Sequence, residues 1–318
     1  MAKKIYKVAG LGQCSLDFLT SLEAYPQEDT KAEVDSITTE GGGPVATALV
    51  ALARLGAKTY FSGIISDDRA GKEIRVGLKR EGVDTSALKC RRGGESQRAF
   101  IIVAGRAAKR TILWQRPTVA PLSAKEVTAA FIKGMDFLLL DGLMPEASIK
   151  AATIASATGV PVMLDAGSLR PGMEELIPLC DYVVASEGFA RSYGKTLPGT
   201  LKRLVAAGTS VATVTLGAKG SVTLDGRKEG RDGGRGGACD GKRPQMFKTP
   251  AFKVVAVDST GAGDVFHGAY IFALLRGWGL ERVVKFASAT AALKCTSAGG
   301  RGGIPTLSAV NRFIRERG

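Results

Sequence analysis

The sequence contains a single histidine, His267, in 318 residues. A zinc site built on imidazoles, or a Ser-His-Asp hydrolase, would have to rest on that one residue, so the chemistry has to come from carboxylates, cations and backbone. Long apolar runs are also missing. The candidates, such as Phe137 to Leu140, are short and bounded by charge or glycine, far below the roughly 18 residues a membrane span needs. Lys3, Lys4 and Lys7 precede a stretch that Gly10, Gly12, Gln13 and Asp17 interrupt before a signal-peptide core could form. Five cysteines (Cys14, Cys90, Cys180, Cys239 and Cys295) are scattered without a close pair at metal spacing, which reads as reduced thiols in a cytoplasmic protein. Aromatic residues make up only 6% of the chain. That leaves little to stack on bases and weighs against a nucleic-acid partner.

What is present describes a chain able to bury a large core: 45% hydrophobic, 23% charged and a mean hydropathy of +0.07. The net charge of +14 is partly local, since residues 226–248 hold seven Lys/Arg against three Asp/Glu. The remainder is dispersed on helices such as Lys72 to Arg80 and Arg312 to Arg317, where solvated faces account for it. The Gly/Arg-rich segment 226–248 reads as a flexible hairpin extension without chemistry of its own.

From about residue 136 onward short apolar runs alternate with amphipathic stretches of helix length. Met135 to Asp141, Val160 to Asp165 and Asp181 to Ala185 read as buried strands and Pro145 to Thr158 as a helix; Ile5 to Gly12 and Val45 to Leu55 repeat the scheme near the start. Such alternation predicts an α/β protein with a doubly wound, mostly parallel sheet flanked by helices, in a single domain over 1–318. Two stretches with period two, Thr30 to Thr39 and the pair Ser96 to Val103 and Arg110 to Gln115, predict a small β-sheet lid inserted at about 28–40 and 96–116. Strands are also expected at Ser221 to Leu224 and Phe252 to Val257.

The most informative segment is Val254 to Tyr270, VVAVDSTGAGDVFHGAY. A β-branched run ends at Asp258, a glycine turn follows, and Phe266, Ala269, Tyr270 and Ala273 then recur at helical spacing. Small residues at Gly261, Ala262 and Gly263 let a ligand approach the backbone, and the free N–H groups of the first helical turn favour an anion there. Asp264 sits in the same turn, close enough to take a proton from a hydroxyl attacking a bound phosphorus. His267 follows on the same helical face; it reads either as a packed helix histidine or as a group that tunes the acid. Asp165 and Arg170 follow a strand end, where ligands of such sheets gather, though a turn-and-surface role explains them equally well.

The string DSTGAGDVFHGAY resembles the signature of the ribokinase family of sugar and nucleoside kinases, the phosphofructokinase B group. Gly42-Gly43 followed by VATALVALARLGA, and then GIISDD and LKREGVDTS, resembles the family's N-terminal signature, so the similarity covers nearly the whole chain. The resemblance implies a ribokinase-like fold and an ATP- and Mg²⁺-dependent sugar kinase, acting on a ketohexose or related sugar. It further implies Asp264 as general base, with Gly261, Ala262 and Gly263 as the anion hole. Asp17, Gly42, Gly43 and Thr47 would bind the sugar, with Thr47 standing where most relatives have asparagine. Thr215, Gly217, Lys219 and Gly220 match the nucleotide segment, Glu187 substitutes in the magnesium region, and Asp258 with Thr260 matches the region where many members bind K⁺. Lys31, Arg98, Arg106 and Arg116 lie on or near the lid strands. AALKCTSAGGRGGIP and GGGPVATA resemble the sulfofructose kinase branch, which shares Lys31, whereas Trp114 and Leu143 stand where that branch has polar side chains. A homodimer through the lid is a further implication. Sulfofructose-type and nucleoside kinases are the alternatives within the family; an inactive nucleotide-binding regulator and a nucleic-acid-binding protein are the alternatives outside it.

Overall fold

The computed structural model describes residues 4–105, 109–227 and 244–317. Its strands are, in chain order, β1 (Lys7–Leu11), β2 (Ser15–Leu22), β3 (Thr38–Gly42), β4 (Lys58–Ser66), β5 (Val83–Asp84), β6 (Leu88–Arg91), β7 (Arg98–Ala104), β8 (Lys109–Gln115), β9 (Phe137–Leu140), β10 (Val162–Ala166), β11 (Tyr182–Ser186), β12 (Val211–Thr215), β13 (Ser221–Asp225) and β14 (Gln245–Thr249). The α-helices are α1 (Pro44–Arg54), α2 (Arg69–Arg80), α3 (Ala129–Ile132), α4 (Pro145–Thr158), α5 (Met173–Leu176), α6 (Glu187–Gly194), α7 (Leu197–Ala206), α8 (Ala262–Leu275), α9 (Leu280–Lys294) and α10 (Leu307–Arg317).

The large sheet has the order β14-β13-β12-β11-β10-β9-β1-β4-β5, with β6 also paired to β4. From β5 to β12 the pairings are parallel; β13 and β14 add an antiparallel edge. A parallel sheet is covered on both faces by its crossover helices, so its central strands read as continuous apolar runs. Phe137 to Leu140 fits: all four residues are buried. One face packs on α1, α8 and α9, through Leu49, Val265, Tyr270 and Phe286; the other packs on α4 and α7, through Leu138, Ala151, Val183 and Leu204. Helices α1 and α8 touch so closely that a Cβ on Gly268 would lie 2.5 Å from the Ala48 carbonyl oxygen.

The second sheet has the order β3-β2-β7-β8. Its alternation is visible in β7, where Ala99 and Ile101 are buried while Phe100 is exposed and stacks on Phe18 at 5.2 Å. Asp68 fixes this sheet to the rest. Its carboxylate caps α2 by accepting from the Gly71 N–H at 2.8 Å, and it also accepts from Ser96 Oγ and from the Arg98 guanidinium at 2.9 Å.

Two expectations need correction. Of Thr30 to Thr39 only the end is strand, in β3, while residues 30–37 are irregular and mostly exposed. The sheet takes β2 instead, whose Asp17 pairs in register with Glu40 on one side and Ala99 on the other. Phe252 to Val257 is not a strand, because β13 is already paired with β14 and the segment serves as the connection from that edge to α8. Its Val255 is 88% exposed, while Phe252 packs on Phe313. Of the segment 226–248, residues 228–243 lie outside the described residues, and Gln245 to Lys248 belong to β14. Arg106 and Cys239 also fall outside them.

Candidate active site

The DSTGAGD segment folds as a turn feeding α8. Gly261 is the N-cap at φ 72°, a left-handed conformation that glycine adopts without strain. A Cβ there would also lie 2.7 Å from the Gly300 carbonyl oxygen, so the loop after α9 presses against the turn. At Gly263, by contrast, a Cβ would meet nothing within 4 Å. That open space belongs to a cavity of about 990 Å³ whose walls include Ala262, Gly263, Glu187, Thr215, Gly217 and Gly220. The first turn of a fourteen-residue helix therefore borders a cleft large enough for a nucleotide, with its Ala262 N–H already donating to the Ser259 carbonyl at 3.2 Å.

Asp264 is half-buried in this first turn. Burial pushes its carboxyl well above the usual carboxylate range; the negative charges of Asp165 and Asp17 act in the same direction, and Arg110 and Arg301 oppose them. Those neighbours come from four separate elements, so this carboxyl stands where the two sheets meet.

Asp17, on β2, is buried and accepts from Ser15 Oγ at 2.6 Å. Burial raises its proton affinity, partly offset by the Ser15 hydrogen bond and by Arg301. Gly42 leaves room for it, since a Cβ there would overlap the Asp17 carboxylate. Gly43, at φ 93°, turns the chain over the Gln13 carbonyl into α1. Thr47 is buried, and its hydroxyl accepts from Arg301 Nε at 3.3 Å. Lys31 is exposed on the irregular segment before β3. A second cavity, of about 530 Å³, opens beside Gly12, Gln13, Gln97, Arg116 and Leu143. Behind it Asp141 accepts from the backbone N–H groups of Gln13 at 2.7 Å and Leu143 at 3.0 Å, and burial pushes its carboxyl up to about 7. Trp114, apolar in the sequence, carries two guanidinium groups over its ring, Arg116 at 4.9 Å and Arg170 at 6.0 Å.

In the nucleotide segment, Thr215 closes β12 and its hydroxyl donates to the Ala185 carbonyl at 3.3 Å. Gly217 and Gly220 both have positive φ, and a Cβ on Gly220 would overlap the Thr249 carbonyl. Lys219 is exposed and does not line the large cavity. Glu187 does line it, and is ion-paired with Arg191 at 2.7 Å. A lone carboxylate at the cleft wall suits magnesium that arrives on a nucleotide, because that ion keeps most of its waters. Among the described residues no group of three or more His, Cys, Asp or Glu is placed to hold a metal by itself.

The residues expected at a potassium site do not suit that ion. The two carboxylate oxygens of Asp258 already accept from the N–H groups of Thr260 at 2.8 Å and Gly299 at 2.9 Å. Its carbonyl accepts from the ammonium of Lys294, a fully buried side chain, at 2.9 Å. Burial weakens the hold of Lys294 on its proton and Asp258 opposes that loss, while Lys294 Nζ occupies the carbonyl that a second cation would need.

Three contributors escaped the sequence reading. Arg110, on β8, crosses from the small sheet and donates to Ser259 Oγ at 2.7 Å. Arg301 is buried, donates to the Gly42 carbonyl at 3.0 Å and answers Asp17 across the site. Glu40 accepts from the Arg301 backbone N–H at 3.0 Å. The signal for the last two was the glycine spacing: a Cβ on Gly41 would overlap the Arg301 guanidinium, and one on Gly299 the Glu40 carboxylate. Glycines on both segments mark where charged side chains lie against backbone.

This geometry can be compared with known proteins. Residues 7–307 match the family described as pfkB family carbohydrate kinase. The chain belongs to this family. Among curated relatives of this pfkB kinase, the ribokinase of Bacillus subtilis (strain 168) is 28% identical over 306 residues, covering 96% of this chain and 98% of the relative. A 5-dehydro-2-deoxygluconokinase of Clostridium perfringens is 25% identical over 345 residues, covering 99% and 94%. The fold is that of the ribokinase of Arabidopsis thaliana, solved in complex with ribose and ATP, with a TM-score of 0.80 over 98% of this chain and 99% of that one at 22% identity. The kinase is thus a carbohydrate kinase with the ribokinase-like α/β architecture, and no helix among its described residues is long and apolar enough to cross a membrane.

Proposed function

We propose that this pfkB kinase transfers the γ-phosphoryl group of ATP to a hydroxyl of a ketohexose or related small carbohydrate. The observation that carries the reading is the start of α8: Gly263 faces the nucleotide-sized cavity, while the next residue, Asp264, stands among Asp17, Arg110 and Arg301. In this reading the N–H groups of Gly261, Gly263 and Asp264 stabilise the charge on the transferring group, the Ala262 N–H being bonded to the Ser259 carbonyl, and Asp264 takes the proton of the attacking hydroxyl. Its raised proton affinity makes it a stronger proton acceptor than an ordinary carboxylate. Asp17 and the backbone at Gly42 and Gly43 orient the sugar; Thr215, Gly217 and Gly220 let the phosphates lie along the main chain. Bound magnesium supplies charge neutralisation on those phosphates, with Glu187 the residue to hold its waters. Potassium has no part in the proposal, because Lys294 Nζ already occupies the Asp258 carbonyl. The use of ATP supports a cytoplasmic location. The exposed Phe100, Ile112, Leu113 and Trp114 support a homodimer through the small sheet, to be checked by sedimentation.

A second reading, a sulfonated or otherwise anionic sugar, is favoured by Arg116 and Arg170 over Trp114 beside the cavity at Gln13. An ADP-release screen across ketoses, aldoses, nucleosides and sulfo- or phosphosugars decides between them. Turnover on neutral ketoses is the expected result; turnover on anionic sugars alone moves the assignment to the second reading, and none on any sugar overturns both.

A further inference from the structure

The chain's one histidine lies one turn past the start of α8, and its ring is enclosed by acceptors. Nδ1 is 2.6 Å from the Gly263 carbonyl oxygen; Nε2 is 3.2 Å from the Val184 carbonyl oxygen and 3.5 Å from Asp165 Oδ1. His267 and Asp165 are both buried, at 5% and 8% exposure. A neutral imidazole has one N–H and would turn a lone pair on its other nitrogen toward an oxygen. An imidazolium satisfies every contact, and its positive charge opposes the burial that raises the proton affinity of Asp165.

The Gly263 contact bears directly on the anion hole. A peptide group is planar, so the carbonyl of Gly263 and the N–H of Asp264 belong to one rigid unit. Fixing one fixes the direction of the other. Asp264 N–H is one of the first-turn donors assigned above to the transferring phosphoryl group, and its peptide is the one the histidine grips.

We propose that His267, held as an imidazolium by Asp165, is a positioning residue for phosphoryl transfer: it locks the Gly263–Asp264 peptide and places a positive charge behind the base. This inference rests on the kinase reading for its consequence, but its first test does not need turnover. The charged groups concerned are Asp165 from β10, with Asp141 beyond it on the β9 side, and Asp264 on the same helix. Across the site stand Asp17 from β2, Arg110 from β8 and Arg301 from the loop after α9. Without the imidazolium, the burial that raises Asp165 would be unopposed, and the neighbouring Asp165 and Asp264 carboxyls would together hold a proton to higher pH.

With a single histidine, the imidazole signals in a long-range ¹H–¹⁵N spectrum need no assignment. The expected result is a ring protonated on both nitrogens at neutral pH, and a neutral ring in the Asp165→Asn variant; a neutral ring in the unmodified protein overturns the proposal whatever its activity. On a sugar found by the screen, His267→Gln should lower kcat about tenfold or more with little change in the KM for ATP. Its acidic limb of kcat should move to higher pH, and adding Asp165→Asn should bring that limb back down. An acidic limb identical in His267→Gln and the unmodified enzyme would remove the electrostatic role. If His267→Gln does not fold, the spectra of the unmodified protein and of Asp165→Asn still decide the matter.

Discussion

At the residue scale, the site depends on side chains whose charge state is set by neighbours distant in sequence. The placement of Asp264 at a helix start was legible from GAGD, whereas the four charges that tune it come from β2, β8, β10 and the loop after α9. Spacing cannot report such company. Asp264→Asn keeps the shape of the turn and removes the proton acceptor, so kcat should fall by roughly 10² to 10⁴ while ATP binding, read by calorimetry, stays close to that of the unmodified enzyme. Unchanged turnover would remove Asp264 from the mechanism. Asp141 makes a separate prediction, about stability. Its folded-state value of about 7 lies above the ordinary 3.8, so the native state retains a proton that the unfolded chain releases. The favourable contribution is complete below the ordinary value and is lost as pH rises through the folded one. Thermal denaturation at about pH 5 and about pH 8 should show a smaller loss of Tm across that window in Asp141→Asn than in the unmodified protein. Equal losses would mean that another group titrates there.

At the element scale, buried strands and long helices were legible wherever the apolar period was undisturbed, as in β9 and α4. The failures share a cause: a segment's propensity cannot say whether a partner is free. Phe252 to Val257 has the β-branched composition of a strand, yet the edge it would have joined is taken by β14, and the segment crosses to α9 instead, where Val257 N–H donates to the Cys295 carbonyl at 2.8 Å. Likewise β2 was not foreseen, because Ser15 to Leu22 follows β1 so closely that only the small sheet shows it to be a separate strand. The proposed function depends most on the turn before α8. Gly261→Ala would place a methyl group against the Gly300 carbonyl in a left-handed backbone. That combination should cost about 1–3 kcal/mol of stability and should displace the first-turn N–H groups. The expected outcome is a lower denaturation midpoint together with a weaker affinity for ATP, measured on protein that is still folded. Native ATP affinity in that variant would count against the anion hole.

At the scale of the whole molecule, the alternation of strands and helices was enough to foresee a parallel sheet wound on both sides. The meeting of the two sheets was not foreseeable, because it is made by single long side chains. Arg98 ties β7 to Asp68 at the start of α2, and Arg110 reaches from β8 to Ser259 in the turn before α8. The first contact belongs to the scaffold and the second to the site. If the small sheet closes over bound sugar to exclude water, Arg110 is the side chain through which that closure would reach the phosphoryl group. Arg110→Ala should then leave the fold and the sugar affinity largely intact, since Arg110 is exposed and lies in neither core. It should also let water compete with the sugar, so that ADP released per sugar phosphorylated rises above one. Measuring both products in the same reaction separates this effect from a simple loss of rate. An unchanged ratio with reduced kcat would assign Arg110 to charge stabilisation alone, and an unchanged ratio with unchanged kcat would detach the small sheet from the chemistry.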